Sequence, residues 1–418
     1  MSNLSIFSEI GRLRAVAVHA PGPEVDYMTP TLMHQLLFDD ILFGSDARKE
    51  HADFSKVLGK VAEVMDVQDL LAETMEIEAG RKYFLKRLAV LHKLTEADIE
   101  ELEAMSSKDL ASCAISGWYE PLNDGAEYRF RFPPVPNLLF MRDPAAVIGD
   151  GAAINHMATS ARAPEPFIMD AIFHHHPYFR VDGERQIWFN AIDSYLKGYP
   201  EIHNTLEGGD TLVLSEDIVA VGISIRTSQS AVTVMAEHLR ANSNFKTLFA
   251  VLMPEERAIM HLDTIFTQID EEKCLIFPPL LDPKNPQALP ALRMDLTNDN
   301  LQVSLENNFL EALKREGHHL EPVYCGGKNR LYQEREQWTD GANAFCLAPG
   351  VILGYSRNIH TAEELNRVGY NIVTAEDVLA GHYDLLDGKK YFILIRGNEL
   401  SRARGGPRCM TMPLRRDH

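Results

Sequence analysis

The sequence predicts an α/β fold assembled by repetition, and three observations support it. Apolar strand–turn–strand pairs recur along the chain, and helical patterns often follow them. No GxGxxG follows a strand to support the rival architecture, a doubly wound parallel sheet that binds a dinucleotide. The pairs are RAVAVHAPG (14–22), LLFMRDPAAVIGDGAAIN (138–155), GDTLVLSEDIVAVGISI (209–225), DTIFTQIDEEKCLIF (263–277) and NAFCLAPGVILGY (343–355). Each reads as an apolar run, a turn and a second apolar run. Helical spacing appears in PTLMHQLLFDDIL (30–42), SQSAVTVMAEHLRA (228–241), SLENNFLEALKRE (304–316) and TAEELNRVG (361–369). The last opens with Thr-x-x-Glu, a capping box that places Thr361 at the helix start. Five weakly similar hairpin-plus-helix units read as one domain over 1–418.

Residues 70–117 break the rhythm. They are rich in Ala, Glu, Leu and Lys, show apolar residues at helical spacing and carry no strand signal. We read them as a helical insertion packed on the main body.

With 418 residues, 45% of them hydrophobic and 24% charged, the chain has enough apolar material for a sizeable core. No run approaches the roughly 18–20 apolar residues of a membrane helix. The start, MSNLSIFSEIGRLRAV, has polar and acidic residues where a signal peptide needs an apolar stretch, so we read the protein as cytoplasmic. A net charge of −19 argues against a nucleic-acid surface and mildly favours a cationic substrate. The five cysteines are scattered and form no CxxC, so neither a disulfide framework nor a cysteine zinc site is supported. Cys113 falls in a helical pattern, and Cys274, Cys325 and Cys346 fall in apolar strand-like runs, where a thiol is a small core residue. Cys409 differs, standing in RARGGPRCMTMPL between Arg408 and Met410 with two glycines upstream.

Four motifs carry chemistry. NLLFMRDP (137–144) reads as a strand end that delivers Asn137, Arg142 and Asp143; alone it is an ordinary strand–turn boundary. EGGD (207–210) offers Glu207 beside two glycines that permit close approach to a ligand; alone it is a tight turn. In HLDT (261–264), His261 and Asp263 would share one side of a strand, an acid/base or ligand-binding pair. Around Cys409, Arg404 and Arg408 would favour the thiolate, though a buried, inert cysteine fits the same letters. If these segments converge, one thiol, one imidazole and three carboxylates meet, and such a cluster needs a compensating cation. His174–His175–His176 cannot all face one metal from a strand, and FHHHPYF reads as a loop. A planar guanidinium suits two carboxylates better than a metal does.

Together these motifs resemble the arginine deiminase family, which hydrolyses L-arginine to L-citrulline and ammonia. SEIGRLRAVAVHAPG, LLFDDILF, NLLFMRDP, LEGGD, HLDTIFT and RARGGPRCMTMPL are similar to that family in family order. The resemblance implies a five-fold pseudosymmetric α/β propeller of ββαβ-type units (the pentein fold of guanidino-modifying enzymes). It also implies no cofactor, no metal and a homo-oligomer, dimer or tetramer. Cys409 would be the nucleophile, its tail strand closing the ring of units. His261 would be the general acid/base, Asp143 and Asp263 the guanidinium clamps, and Glu207 a guanidinium contact that helps hold His261. Asn137, Arg162 and Arg226 would bind the substrate carboxylate, with Arg404 on the loop beside the cysteine. Alternatives are an agmatine, methylarginine or peptidyl-arginine hydrolase, an amidinotransferase, a metal-dependent amidinohydrolase that releases urea, and a non-catalytic arginine-binding protein.

Overall fold

The computed structural model describes residues 3–179, 187–190, 192 and 204–418. Among them, five of the six sheets share one kernel. A first strand pairs antiparallel with a second, and the second pairs parallel with a third. The kernels are Ala145–Ile148, Gly151–Ile154 and Ile187–Asn190; Thr211–Val213, Ile218–Ile223 and Thr247–Leu252; Phe266–Gln268, Lys273–Ile276 and Glu321–Tyr324; and Phe345–Ala348, Val351–Tyr355 and Tyr391–Ile395. The fifth kernel draws on both chain ends. Its first strand, Met412–Arg416, lies antiparallel to Leu13–Val18, which runs parallel to Glu63–Asp66. The sixth sheet is the hairpin of Tyr119–Leu122 and Glu127–Phe130.

A parallel pair needs a long crossover, and helices supply it. Helix Gln229–Asn242 starts where the Ser228 hydroxyl accepts from the Ala231 N–H, and it buries Ala231, Val232, Met235, Ala236 and Leu239 at helical spacing. The inner strands it covers are apolar but for Thr247 at the start of one, as expected of strands buried on both faces.

Residues 67–116 form four helices, Val67–Met75, Glu78–His92, Glu96–Glu103 and Ser107–Ser116. Asp66, Thr95 and Ser106 cap three of them with side-chain oxygens. The second packs on helix Pro164–His175. Among the described residues, no helix is long and apolar enough to cross a membrane.

Four local expectations are corrected. RAVAVHAPG is one strand, not a hairpin, because its antiparallel partner is the chain's other end. His174 and His175 lie in helix Pro164–His175 rather than a loop. The helix expected over 30–42 stops at Gln35, where Leu36 leaves helical geometry. Thr361 sits inside helix Ile359–Arg367 and caps nothing, because its hydroxyl donates to buried Glu336 at 2.6 Å.

Outside the candidate site, a charge cluster around buried His19 ties the end of strand Leu13–Val18 to the short helix Pro23–Asp26 and to strand Glu63–Asp66. His19 Nε2 lies 3.2 Å from Glu24 Oε1, and Nδ1 lies 3.7 Å from Asp66 Oδ1. Burial opposes a charge on His19, but the Asp66 and Glu24 carboxylates more than offset it and push its pKa up to about 10. The stabilisation from this cation is therefore complete below the free imidazole pKa and is lost as pH rises through about 10. His19→Gln is expected to lower stability by a few kcal/mol, roughly, at pH 6. Its Tm deficit against the parent should shrink steadily towards pH 10 in thermal melts, and a deficit independent of pH would exclude a charged His19.

Candidate active site

Each kernel's first strand is preceded by a turn, and these turns hydrogen-bond to one another in a closed series. Arg142 N–H donates to the Cys409 carbonyl at 3.0 Å, and Gly208 N–H to the Asp143 carbonyl at 3.1 Å. Leu262 N–H donates to Asp210 Oδ1 at 2.9 Å. Asn343 Nδ2 donates to the Asp263 carbonyl at 3.1 Å. Asn343 Oδ1 accepts from Cys409 N–H, also at 3.1 Å, which returns to the start. These bonds hold the five turns against one another.

His261 and Asp263 are not on a strand as the sequence suggested. They flank and occupy a short 3-10 turn, Leu262–Thr264, ahead of Phe266–Gln268. NLLFM is likewise a 3-10 turn, Pro136–Leu139, rather than a strand end, and EGGD turns through Gly208–Asp210. Gly209 is required where it stands. A Cβ there would lie 2.5 Å from His261 Nδ1, and its N–H donates to Asp143 Oδ1 at 3.1 Å.

The imidazole is held between carboxylates. His261 Nε2 lies 2.8 Å from Glu207 Oε2, and Nδ1 lies 3.8 Å from Asp143 Oδ1. Burial works against the imidazolium, yet Asp143, Glu207 and Asp210 outweigh it and raise its pKa to about 9. Burial also opposes ionisation of Glu207, but His261, Arg226 and Arg162 bring its pKa down to about 2. The pair therefore rests as imidazolium and carboxylate at neutral pH.

Cys409 Sγ lies 3.9 Å from Asp263 Oδ2. The expectation that flanking arginines favour its thiolate is corrected. Arg408 turns away, pairing with Glu9 at 3.0 Å and with Asp263 Oδ2 at 2.8 Å. Arg404, in left-handed geometry with φ of 66°, stacks over the Trp338 ring at 3.4 Å. Burial, with Asp263, Asp340 and Asp143 nearby, pushes the Cys409 thiol well above its ordinary pKa. These surroundings favour the thiol over the thiolate.

Asp263 keeps one oxygen on Arg408, while its buried Oδ1 has no partner. Asp143 is already occupied: Arg162 Nη1 lies 2.7 Å from its Oδ2, while Arg162 Nε and Nη2 grip Glu165 at 2.8 and 2.7 Å. Arg226 sits 3.6 Å from Glu207 and contacts Met260. Asn137 donates to the Leu36 carbonyl and accepts from Arg162 with its own. Ligand atoms of Asp143, Glu207 and His261 lie within 4.8 Å of one another, close enough for a metal ion. Arg162 and Arg226 supply the positive charge at those carboxylates instead.

A hollow of about 40 Å³ lies among Asp143, Arg162, Arg226, His261, Arg404 and Cys409. Ligand pockets run to roughly 300 Å³ and above, so this hollow is smaller than a substrate site usually is. Leu37, Asp39 and Arg257 border it as well, the last two paired with each other.

Sequence reasoning missed Glu9, Glu165, Asp210 and Asn343. Asp210 was visible within EGGD and Glu9 within the SEIGRL stretch, but nothing local marked Glu165 or Asn343.

A model of the arginine deiminase family matches residues 34–116 and 121–416. The chain belongs to the arginine deiminase family. The arginine deiminase of Clostridium perfringens (strain SM101 / Type A) is 36% identical, the match covering 99% of this chain and 98% of that protein. The arginine deiminase of Borrelia duttonii (strain Ly) is 35% identical over the same shares. Among solved structures, SxtG, an amidinotransferase from Microseira wollei in the saxitoxin biosynthetic pathway, superposes with a TM-score of 0.52 at 13% identity, covering 100% of this chain and 98% of that one. The product-bound N-terminal domain of ArgZ, an arginine dihydrolase from cyanobacteria, gives 0.52 at 12% identity over 96% and 97%. At such identity these two speak for the shared α/β fold alone.

The deiminase-family chain thus rests with His261 charged. An NMR titration of the resting protein is expected to keep His261 protonated up to about pH 9. In Glu207→Gln the titration should move down by a pH unit or more, because a charged partner is lost. An unchanged midpoint would remove Glu207 as the source of the shift.

Proposed function

We propose that the protein hydrolyses L-arginine to L-citrulline and ammonia through a covalent adduct on Cys409. The meeting of one thiol, one charged imidazole and the carboxylates of Asp143, Glu207 and Asp263 carries the reading. Identity with curated arginine deiminases over nearly the full chain supports it. We also infer that the five kernels are the units of a pseudo-fivefold propeller whose axis runs through the site. Their common strand order and the closed series of turn-to-turn bonds support this.

The substrate guanidinium takes Asp143 Oδ2 from Arg162 and meets the unpartnered Asp263 Oδ1. Two buried carboxylates then hold the planar head, and its charge favours loss of the thiol proton to solvent. The Cys409 sulfur bonds to the guanidinium carbon. His261, already protonated, gives its proton to the departing amino group, and ammonia leaves. A thiouronium remains on sulfur. Neutral His261 next takes a proton from water, hydroxide adds to the same carbon, and the carbon–sulfur bond breaks. Citrulline leaves and the thiol regains its proton. This is nucleophilic catalysis joined to general acid–base catalysis. Asn137, Arg162, Arg226 and Arg404 all line the hollow, and Asn137, Arg162 and Arg226 would bind the substrate α-carboxylate.

Incubation with L-arginine is expected to yield citrulline and ammonia in equal amounts, without urea and without sensitivity to EDTA. Urea, or no product at all, would overturn the reading. Agmatine, which lacks the carboxylate, should be processed at least about 100-fold less efficiently. Cys409→Ser should lose roughly 1,000-fold or more in kcat while still binding arginine in calorimetry. Near-parent turnover by that variant would remove Cys409 from the mechanism.

A further inference from the structure

Four of the five turns supply a group with a role in the proposed chemistry. The turn before Phe345–Ala348 supplies none, yet it contributes Asn343, which is fully buried. We propose that Asn343 is the positioning residue for the Cys409 nucleophile. This inference rests on the deiminase reading, with Cys409 as the attacking group.

The Asn343 amide uses both polar atoms on the two turns that must act together. Oδ1 accepts from Arg408 N–H at 3.0 Å and from Cys409 N–H at 3.1 Å. Nδ2 donates to the Asp263 carbonyl at 3.1 Å. One planar group thereby sets the spacing between the turn that carries the sulfur and the turn that carries His261 and Asp263. Every other step in the closed series has a main-chain carbonyl or N–H on at least one side, as does this one. Among the described residues, Asn343 is the one member of this five-bond series whose side chain bonds two neighbouring turns. Asp210 bonds Leu262 alone in that series.

The turn around the nucleophile is shaped to this amide. A Cβ on Gly406 would lie 2.5 Å from Asn343 Oδ1 and 2.8 Å from its Cβ, so glycine is needed there for the close approach. The same sheet pins the turn's other end, where the Tyr355 hydroxyl donates to the Gly405 carbonyl at 2.7 Å. Without Asn343, two adjacent N–H groups lose their acceptor in a buried place, and the turn must shift to satisfy them. A displacement of about 1 Å at the attacking atom costs roughly 100-fold in rate. Asn343 does not border the hollow that receives substrate, so binding should be spared.

The test compares the parent with Asn343→Leu, which keeps the shape and removes the hydrogen bonds, and Asn343→Asp, which keeps the acceptor. Thr361→Val serves as a stability control, since Thr361 bonds Glu336 and Gly326 away from the site. Steady-state kinetics on L-arginine, pH profiles and thermal melts are read for each. Asn343→Leu is expected to lose 30- to 100-fold in kcat, as an order of magnitude, with KM within threefold of the parent. Thr361→Val should lose Tm without losing kcat per folded molecule. Asn343→Asp should recover at least about tenfold over Asn343→Leu at its own optimum, with the acid limb of its profile moved to higher pH by the added negative charge. If Asn343→Leu retains kcat within threefold, or if its loss is not recovered by Asn343→Asp at any pH, the proposal is overturned. Should Asn343→Leu not fold, an Asn343→Asp acid limb that coincides with the parent's overturns it. A parent that makes no citrulline would instead sink the deiminase reading itself.

Discussion

The site depends on the closed series of hydrogen bonds between the turns that precede the five first strands. Each turn is short, and its own sheet fixes where it starts. The bonds from Cys409 to Arg142, Asp143 to Gly208, Asp210 to Leu262, Asp263 to Asn343 and Asn343 back to Cys409 then fix the turns against each other. Arg142 Nε also donates to the carbonyl of Arg408, 266 positions away in sequence. Such long-range closure costs chain entropy, and it is offset because the sheets behind the turns are buried and apolar.

On this frame sits an electrostatic balance. Asp143, Glu207, Glu165 and Asp263 lie buried with His261, Arg162 and Arg408, and breaking one such buried pair costs about 3–5 kcal/mol. The balance leaves two openings. Asp263 Oδ1 lacks a partner, and Asp143 holds a guanidinium that belongs to the protein's own Arg162. A substrate guanidinium matches both. In the proposed reaction, the same carboxylates that hold the thiol in its neutral form become partners of the incoming cation, which would activate the sulfur only when substrate is bound. Burial of Glu165 dominates over its contact with Arg162 and raises its pKa to about 7, so the grip on Arg162 itself responds to its surroundings.

Much of this was legible in the sequence because the chemistry-bearing residues sit in compact motifs. Asp143, Glu207, His261, Asp263 and Cys409 each stand beside a glycine, a proline or an apolar run that marks an element boundary. The local geometry was less legible. HLDT alternates like a strand, but Leu262 bonds Asp210 from another turn, a partner that periodicity cannot reveal. RAVAVHAPG looked like a hairpin because its true partner, Met412–Arg416, lies at the opposite chain end. Thr361 matched a capping pattern until a buried Glu336 claimed its hydroxyl. Glu165 and Asn343 carry no motif; only their contacts give them meaning. The arginines beside Cys409 were read from adjacency, whereas their side chains are engaged by Glu9, Asp263 and Trp338.

The most direct measurement is a crystal structure of the Cys409→Ala protein with L-arginine bound. The substrate guanidinium is expected between Asp143 and Asp263, its carbon facing position 409, with Arg162 Nη1 displaced from Asp143. Arginine seated elsewhere, with the Arg162–Asp143 pair intact, would contradict that expectation.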